Sequence, residues 1–149
     1  MREALLLAAE ASSLGEVPVG AVAVYEGRIV GRGFNRRETD RDPLAHAELL
    51  ALGEAARALG AWRLTGVTVY VTLEPCAMCA GGMVQGRVDR VVFGAKDPKA
   101  GAVWSLYDLL ADSRHNHRPE VTGGVLADEC GRALTDFFRD LRKRRRGEG

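Results

Sequence analysis

An α/β fold, a three-layer α/β/α sandwich around a mixed five-stranded sheet, is predicted by three observations. Helical and strand-like periodicities alternate along the chain, the strand-like runs number five, and 149 residues make one ordinary domain that buries about two-thirds of its unfolded surface. Residues 2–14 are rich in Ala and Leu, with Leu5, Ala8, Ala9 and Ser12 on one helical stripe, and Gly15 ends the run. Residues 19–25, the pair Glu26-Gly27 and Arg28–Phe34 read as a hairpin. Its first strand has so few polar residues that burial on both faces is expected. Residues 35–44 form a charged loop, and Pro43 marks a helix that starts at about Leu44 to His46 and runs to Leu59, with Leu49, Leu52, Ala56 and Leu59 toward the core. Residues 67–72 are a strand rich in β-branched side chains, delivering the chain to Glu74 and a short helix over 76–85. A fourth strand at 90–93 and a fifth at Glu120–Thr122 are separated by 26 residues, room for a crossover with a helix near 105–110, so these two strands are expected to be parallel. A final helix over about 126–146 packs Leu126, Cys130, Leu134, Phe137, Phe138 and Leu141. Phe137 and Phe138 are adjacent and cannot both face the core, which leaves one for an external contact.

Composition narrows the class. Three cysteines cannot build a disulfide framework, and two of them share one short motif, which points to a reducing cytosol. Cys130 is most simply a buried thiol, with a fourth metal ligand as the alternative. No apolar run approaches the ~20 residues of a membrane span, and Met-Arg-Glu-Ala-Leu begins a helix instead of a signal peptide. A soluble, cytoplasmic protein with no membrane partner is expected. The net charge of +1 is uninformative, but residues 139–146 carry six basic groups and one acid, a local +5 against −4 elsewhere. A polyanion would meet this end first; a solvated helix end, where cations complement the dipole, explains the same residues.

The chemistry is concentrated in His46-Ala47-Glu48 and Pro75-Cys76-Ala77-Met78-Cys79, with 27 residues between Glu48 and Cys76. His46, Cys76 and Cys79 are three zinc ligands, and a three-ligand site leaves the fourth position for water or substrate, which is the catalytic arrangement. Cys76 and Cys79, three apart, lie on one side of a first helical turn, where the dipole favours thiolate. His46 and Glu48 are two apart, a spacing that converges only in a first turn aimed end-on at the ion. One Zn2+ per subunit would lower the pKa of bound water from about 15.7 to about 7, and Glu48 would take the proton and carry it to the substrate. A glutamate in a first turn also serves simply to complement the dipole, a lone C-x-x-C can be redox-active and a lone histidine structural; the conjunction of types, spacings and helix starts favours zinc hydrolysis.

These motifs, with Leu73-Glu74-Pro75-Cys76, are shared with zinc nucleobase deaminases. Nearly end to end, the sequence resembles the bacterial tRNA-specific adenosine deaminases of the cytidine deaminase-like superfamily: Val17-Pro18-Val19-Gly20-Ala21-Val22, Ala45 to Glu48, Val91 to Ala95, Asn116-His117-Arg118, Leu126 to Cys130 and Asp136-Phe137-Phe138-Arg139 all match. The resemblance implies a homodimer that hydrolyses the wobble adenosine of an arginine tRNA anticodon to inosine and ammonia, so the partner is a tRNA anticodon stem-loop. It further implies that Asn35 hydrogen-bonds the flipped base, a role its two-sided amide suits, although an asparagine there also satisfies a turn. Ala47, through its backbone amide, would join Glu48 at the purine, and Pro18 and Val19 would wall the pocket. Asp97 and Lys99 would lie near the flanking ribose and phosphate, and a carboxylate there can accept from the 2′-hydroxyl that marks RNA. Asn116, His117 and Arg118 would shape the anticodon pocket, His117 either stacking on a base or capping a loop. Phe138 and Arg142 would extend the contact onto the last helix. Trp104 departs from the smaller residues common in the family. Two competing readings are a deaminase of a free base or nucleoside, such as guanine or cytosine, and a non-catalytic zinc domain that binds nucleic acid; Glu48 argues against the second.

Overall fold

A computed structural model describes residues 1–147. Its elements are α1 (Arg2–Ser13), β1 (Gly20–Tyr25), β2 (Arg28–Phe34), α2 (Ala47–Leu59), β3 (Val67–Leu73), α3 (Ala77–Gln85), β4 (Arg90–Ala95), β5 (Glu120–Thr122) and α4 (Ala127–Arg145). They form one five-stranded sheet in the order β2-β1-β3-β4-β5. β1 is antiparallel to both neighbours, while β3, β4 and β5 are parallel. The sheet is therefore mixed, and its last two strands have the predicted direction.

Backbone fits backbone on both faces. Gly20 on β1 meets α1 so closely that a Cβ there would lie 2.0 Å from the Ala4 carbonyl oxygen, and Gly94 on β4 makes room for the Cys130 side chain of α4. On the other face, Gly31 and Gly33 of β2 let α2 approach until added Cβ atoms would lie 2.1 and 2.3 Å from the Ala51 and Ala47 carbonyl oxygens. α1 and α4 thus cover one face and α2 and α3 the other, the three layers expected from the alternation of elements. The alternation rule of strands then places Ala21, Ala23, Val67, Val69, Val71, Val91 and Phe93 in the core beneath α2 and α3. β1, paired on both edges and covered on both faces, buries its first four residues.

Small side chains do the packing where larger ones were expected. The buried residues of α1 are Ala4, Ala8 and Ala11; of the predicted stripe only Ala8 is among them, and Leu5, Ala9 and Ser12 line a groove facing α4. α2 buries Ala47, Ala51, Ala55 and Leu52, with Leu49, Ala56 and Leu59 only partly covered. A glycine-bearing strand accepts an alanine face directly, and on α2 the predicted Leu52 is buried with that face while Leu49, Ala56 and Leu59 pack against the core. The helix expected near 105–110 does not form. The amides of Val103, Trp104 and Ser105 are spent on the Glu74 carboxylate instead of a helical ladder. Leu106 and Leu109 donate back to the carbonyls of Gly101 and Ala102, so the crossover from β4 to β5 is an irregular, tied-down segment. Among the described residues, no helix is long and apolar enough to cross a membrane.

Candidate active site

The start of β1 and the ends of β2, β3 and β4 lie along one edge of the sheet. Two helices point their N-termini at this edge. His46 is the N-cap of α2 and Cys76 the N-cap of α3, both with extended backbones (φ −80°, ψ 147° and φ −75°, ψ 175°). Pro75 holds the chain extended into Cys76, and Asp42 captures the Leu44 amide at 2.8 Å to turn the chain into His46. The first helical residues are Ala47 and Ala77, so His46 and Cys76 stand just outside the helices and Cys79 sits one turn in. That is how a histidine, a glutamate two residues later and a C-x-x-C pair converge.

His46 Nδ1 lies 3.6 Å from Cys76 Sγ and 3.4 Å from Cys79 Sγ. All three ligand atoms fall within 4.8 Å of one another. In a tetrahedral site with Zn–S about 2.3 Å and Zn–N about 2.0–2.1 Å, sulfur and nitrogen stand about 3.5 Å apart. The donors are therefore already at the spacing the ion requires. Their protonation agrees. A hydrogen bond from Cys79, joined by one from His46, holds the Cys76 thiol far down, at about 3, while the same bond and burial push Cys79 far up. The pair shares one negative charge, and only a cation allows both to become the thiolates a metal binds. His46, Cys76 and Cys79 fit zinc. Cys130 is elsewhere, buried against Gly94 of β4, and supplies no fourth ligand.

Beside the cluster is a cavity of about 220 Å³ that includes Val17, Val19, Asn35, Ala47, Glu48 and Asp97 in its wall. Glu48 is 4% exposed. Burial lifts its carboxyl to about 7, with the Cys76 charge adding and His46 opposing. A carboxyl that exchanges protons near neutrality is suited to general acid–base work. The Asn35 side chain donates to the Val17 carbonyl (3.2 Å) and accepts from the Arg37 amide (3.1 Å). One N–H and one lone pair remain for a ligand. Both roles considered for Asn35, turn and cavity wall, are thus present in one side chain.

The cavity adjoins a groove of about 910 Å³, with which it shares Val17, Arg37, Leu73 and Asp97. Arg37, Lys96, Lys99 and Arg142 line it with one acid, Asp97, and Phe138 of α4 offers a ring that is 40% exposed.

A family model for MafB19-like deaminases matches residues 1–142. A tRNA-specific adenosine deaminase of Bacillus subtilis (strain 168) is 54% identical over 146 residues, 98% of this chain and 91% of that protein. Another, of Haemophilus influenzae, is 48% identical over 149 residues, 99% of this chain and 86% of that one. The chain belongs to the tRNA-specific adenosine deaminase family. A solved tRNA:A34 deaminase, studied for A-to-I editing at the wobble position of transfer RNA, superposes with a TM-score of 0.87 at 42% identity, covering 90% of this chain and 97% of that one. A guanine deaminase from Nitrosomonas europaea shares the fold at a TM-score of 0.73 and 23% identity, over 91% and 81% of the two chains.

As a family member the protein is a deaminase, and the residues read from its sequence divide in space. Val19, Asn35, His46, Ala47, Glu48, Cys76 and Asp97 meet at the cavity; Lys99, Phe138 and Arg142 line the adjoining groove. Pro18 does not wall the cavity. It faces the groove between α1 and α4, because residues alternate along an extended segment and Val17 and Val19 take the inward positions. Asn116, His117 and Arg118 are not brought to the cavity of this chain either. They precede β5, at the opposite end of the parallel strands, where His117 donates to the Val88 carbonyl at 2.6 Å and Arg118 to the carbonyls of Ser113 and His115. Here His117 caps a loop.

Sequence reasoning missed Val17, Arg37 and two buried carboxylates. Glu16, 2% exposed, accepts from the amides of Glu38 (3.2 Å) and Thr39 (2.9 Å), anchoring the loop that carries Arg37. Burial opposes ionisation of Glu16, but these bonds and the Arg37 charge outweigh it and hold the carboxyl below its ordinary range. Glu74, also 2% exposed, accepts from the amides of Asp97, Val103, Trp104 and Ser105 and from the Ser105 hydroxyl. Its carboxyl is held at about 2: burial pulls the other way and loses to the Ser105 hydroxyl and the amides of Trp104, Ser105 and Asp97.

Proposed function

We propose that this deaminase hydrolyses the wobble adenosine of a tRNA anticodon, that of an arginine tRNA, to inosine and ammonia, with one zinc ion held by His46, Cys76 and Cys79. The observation that carries this reading is the junction of a three-ligand cluster and a buried Glu48 with a base-sized cavity that shares its wall with a cationic groove. Zinc at such a site acidifies water. Glu48 accepts a proton from the attacking water, passes it to a purine ring nitrogen as the carbon–oxygen bond forms, and delivers the second to the amine as the carbon–nitrogen bond breaks. Water's two protons thus end on the ring and on ammonia, and Glu48 is restored.

Asn35 and the Ala47 amide, the latter at an N-terminus where amides lack helical partners, are suited to orient the flipped base between Val17 and Val19. Outside, Arg37, Lys96, Lys99 and Arg142 suit the flanking phosphates, Phe138 a neighbouring base and Asp97 a ribose hydroxyl. A free base needs no such groove, which favours a polynucleotide. We read the protein as a cytoplasmic homodimer. Exposed apolar side chains, Leu44, Leu106 and Tyr107 among them (57, 52 and 60%), are available to such an association. Of Gly81, Gly82 and Met83 on α3, Gly81 alone has open space beside it, since Gly82 meets Leu49 and Met83 is buried. The test is mass spectrometry of transcribed arginine tRNA after incubation with zinc-loaded protein. Inosine should appear at the wobble position and at no other adenosine. Unchanged tRNA, with ammonia released instead from guanine or cytosine, would replace this reading by the free-base one.

A further inference from the structure

The strongest unassigned feature is the buried carboxylate at the end of β3. One oxygen of Glu74 accepts the amides of Val103 (3.1 Å), Trp104 (2.8 Å) and Ser105 (2.9 Å). The other accepts the Ser105 hydroxyl (2.5 Å) and the Asp97 amide (3.1 Å). Asp97 in turn accepts the amides of Lys99 (3.0 Å) and Ala100 (3.3 Å) through its own carboxylate. The same loop is laced to the metal-ligand segment by the Ala102 amide on the Pro75 carbonyl (2.8 Å) and by a bridge between Gly101 and Cys76. At Gly101 a Cβ would fall 2.4 Å from the Glu74 carboxylate, so bare backbone is needed for the loop to close over it.

We infer that Glu74 is a positioning residue for substrate recognition: it sets the loop carrying Asp97 and Lys99 in register with the Cys76 ligand, so that the groove outside the cavity is aligned with the reaction centre before RNA arrives. This rests on the function proposed above. Its physical basis is that a carboxylate offers only acceptors, and five donors converge on it. Glutamine has the same shape but must turn an NH2 toward one side. With its oxygen kept on the three amides of 103–105, the NH2 can donate to the Ser105 hydroxyl but confronts the Asp97 N–H. The Asp97 end of the clamp is then released while the rest holds.

The test uses zinc-loaded full-length protein, an arginine-tRNA anticodon stem-loop and the variants Glu74→Gln, Asp97→Ala and their double. Glu74→Gln should keep one zinc and lose amide-exchange protection at Asp97. Its KM and Kd for the stem-loop should rise about tenfold, as when a charge-assisted hydrogen bond is removed, with kcat at saturation within about threefold. Because Glu74 is inferred to act through Asp97, the double variant should bind no more weakly than Asp97→Ala alone. Ser105→Ala, which removes one donor and leaves the carboxylate in place, should raise Kd by a few-fold and decides the matter if Glu74→Gln does not hold zinc. Unchanged Kd in these variants, or additive losses in the double, overturns the inference while the function stands. Wild-type protein that neither binds nor deaminates the stem-loop overturns both.

Discussion

At the scale of single residues, the proposed chemistry depends on Glu48 being both buried and adjacent to a cluster that could hold a metal. A carboxyl at about 7 can accept and return protons near neutrality, whereas an exposed one would stay ionised and be a poor acid. Glu48→Gln keeps the volume and removes the exchangeable proton. Zinc content and stem-loop affinity should remain near wild type while turnover falls by about 100-fold or more; single-turnover kinetics with matched zinc determinations measure it, and wild-type turnover would remove Glu48 from the proton path. His46, Glu48, Cys76 and Cys79 were legible because metal chemistry constrains residue type and spacing together. Arg37 and Val17 were not: an arginine in a charged loop and a valine before a strand carry no spacing signal, and only the hydrogen bonds of Glu16 and Asn35 bring them to the cavity. Pro18 shows the complementary failure, where the resemblance assigned the consecutive Pro18 and Val19 to the cavity wall but an extended chain sends only alternate side chains inward.

At the scale of elements, the N-cap His46 of the proposed site is placed by packing of α2 on a glycine-bearing strand. α2 lies directly on Gly31 and Gly33, and the atom nearest to a Cβ at Gly33 is the carbonyl of Ala47, the first residue after the His46 ligand. Gly33→Ala should therefore push the N-terminus of α2 outward, costing about 1–3 kcal/mol as overpacking does, and should reduce turnover as well as stability. Gly81→Ala on α3, with open space around the added methyl, should be neutral or stabilise by up to about 1 kcal/mol through helix propensity. Denaturant melts of the two variants, read beside their turnover, check the contrast; equal effects would mean that close approach at β2 does not place the site. Element type and order were legible from periodicity, and so was the parallel pairing of β4 with β5. Leu49, Leu52, Ala56 and Leu59 of α2 meet the core as predicted, whereas the inward face of α1 was legible only at Ala8, because leucine is the stronger burial signal in sequence while glycine in the facing strand, invisible to the helix's own pattern, selects alanine. The irregular crossover after β4 has a similar origin: its apolar residues suit a helix, and a distant glutamate takes the amides that a helix would need.

At the scale of the whole molecule, charge is distributed along the proposed substrate path. Residues 139–146, at the end of the last helix, carry the local +5 and the rest of the chain −4, and α4 lines the groove beside the cavity with Phe138 and Arg142. Arg139 is held by Asp136 at 3.1 Å and lies 3.6 Å from Asp140, so the cations further along, from Arg142 on, are the ones best able to meet phosphate. Neutralising Arg142, Lys143, Arg144, Arg145 and Arg146 should weaken binding of an anticodon stem-loop and leave deamination at saturating RNA intact, because His46, Glu48 and Cys76 belong to other helices. For every phosphate no longer neutralised by a side chain, the dependence of log K on log salt should become shallower by about 0.7–0.9. Equilibrium titrations of full-length and neutralised protein across several salt concentrations separate the two explanations of this helix end. A parallel drop in affinity and slope identifies an RNA-contacting arm, whereas identical affinities and slopes identify a solvated helix terminus whose cations only complement the dipole.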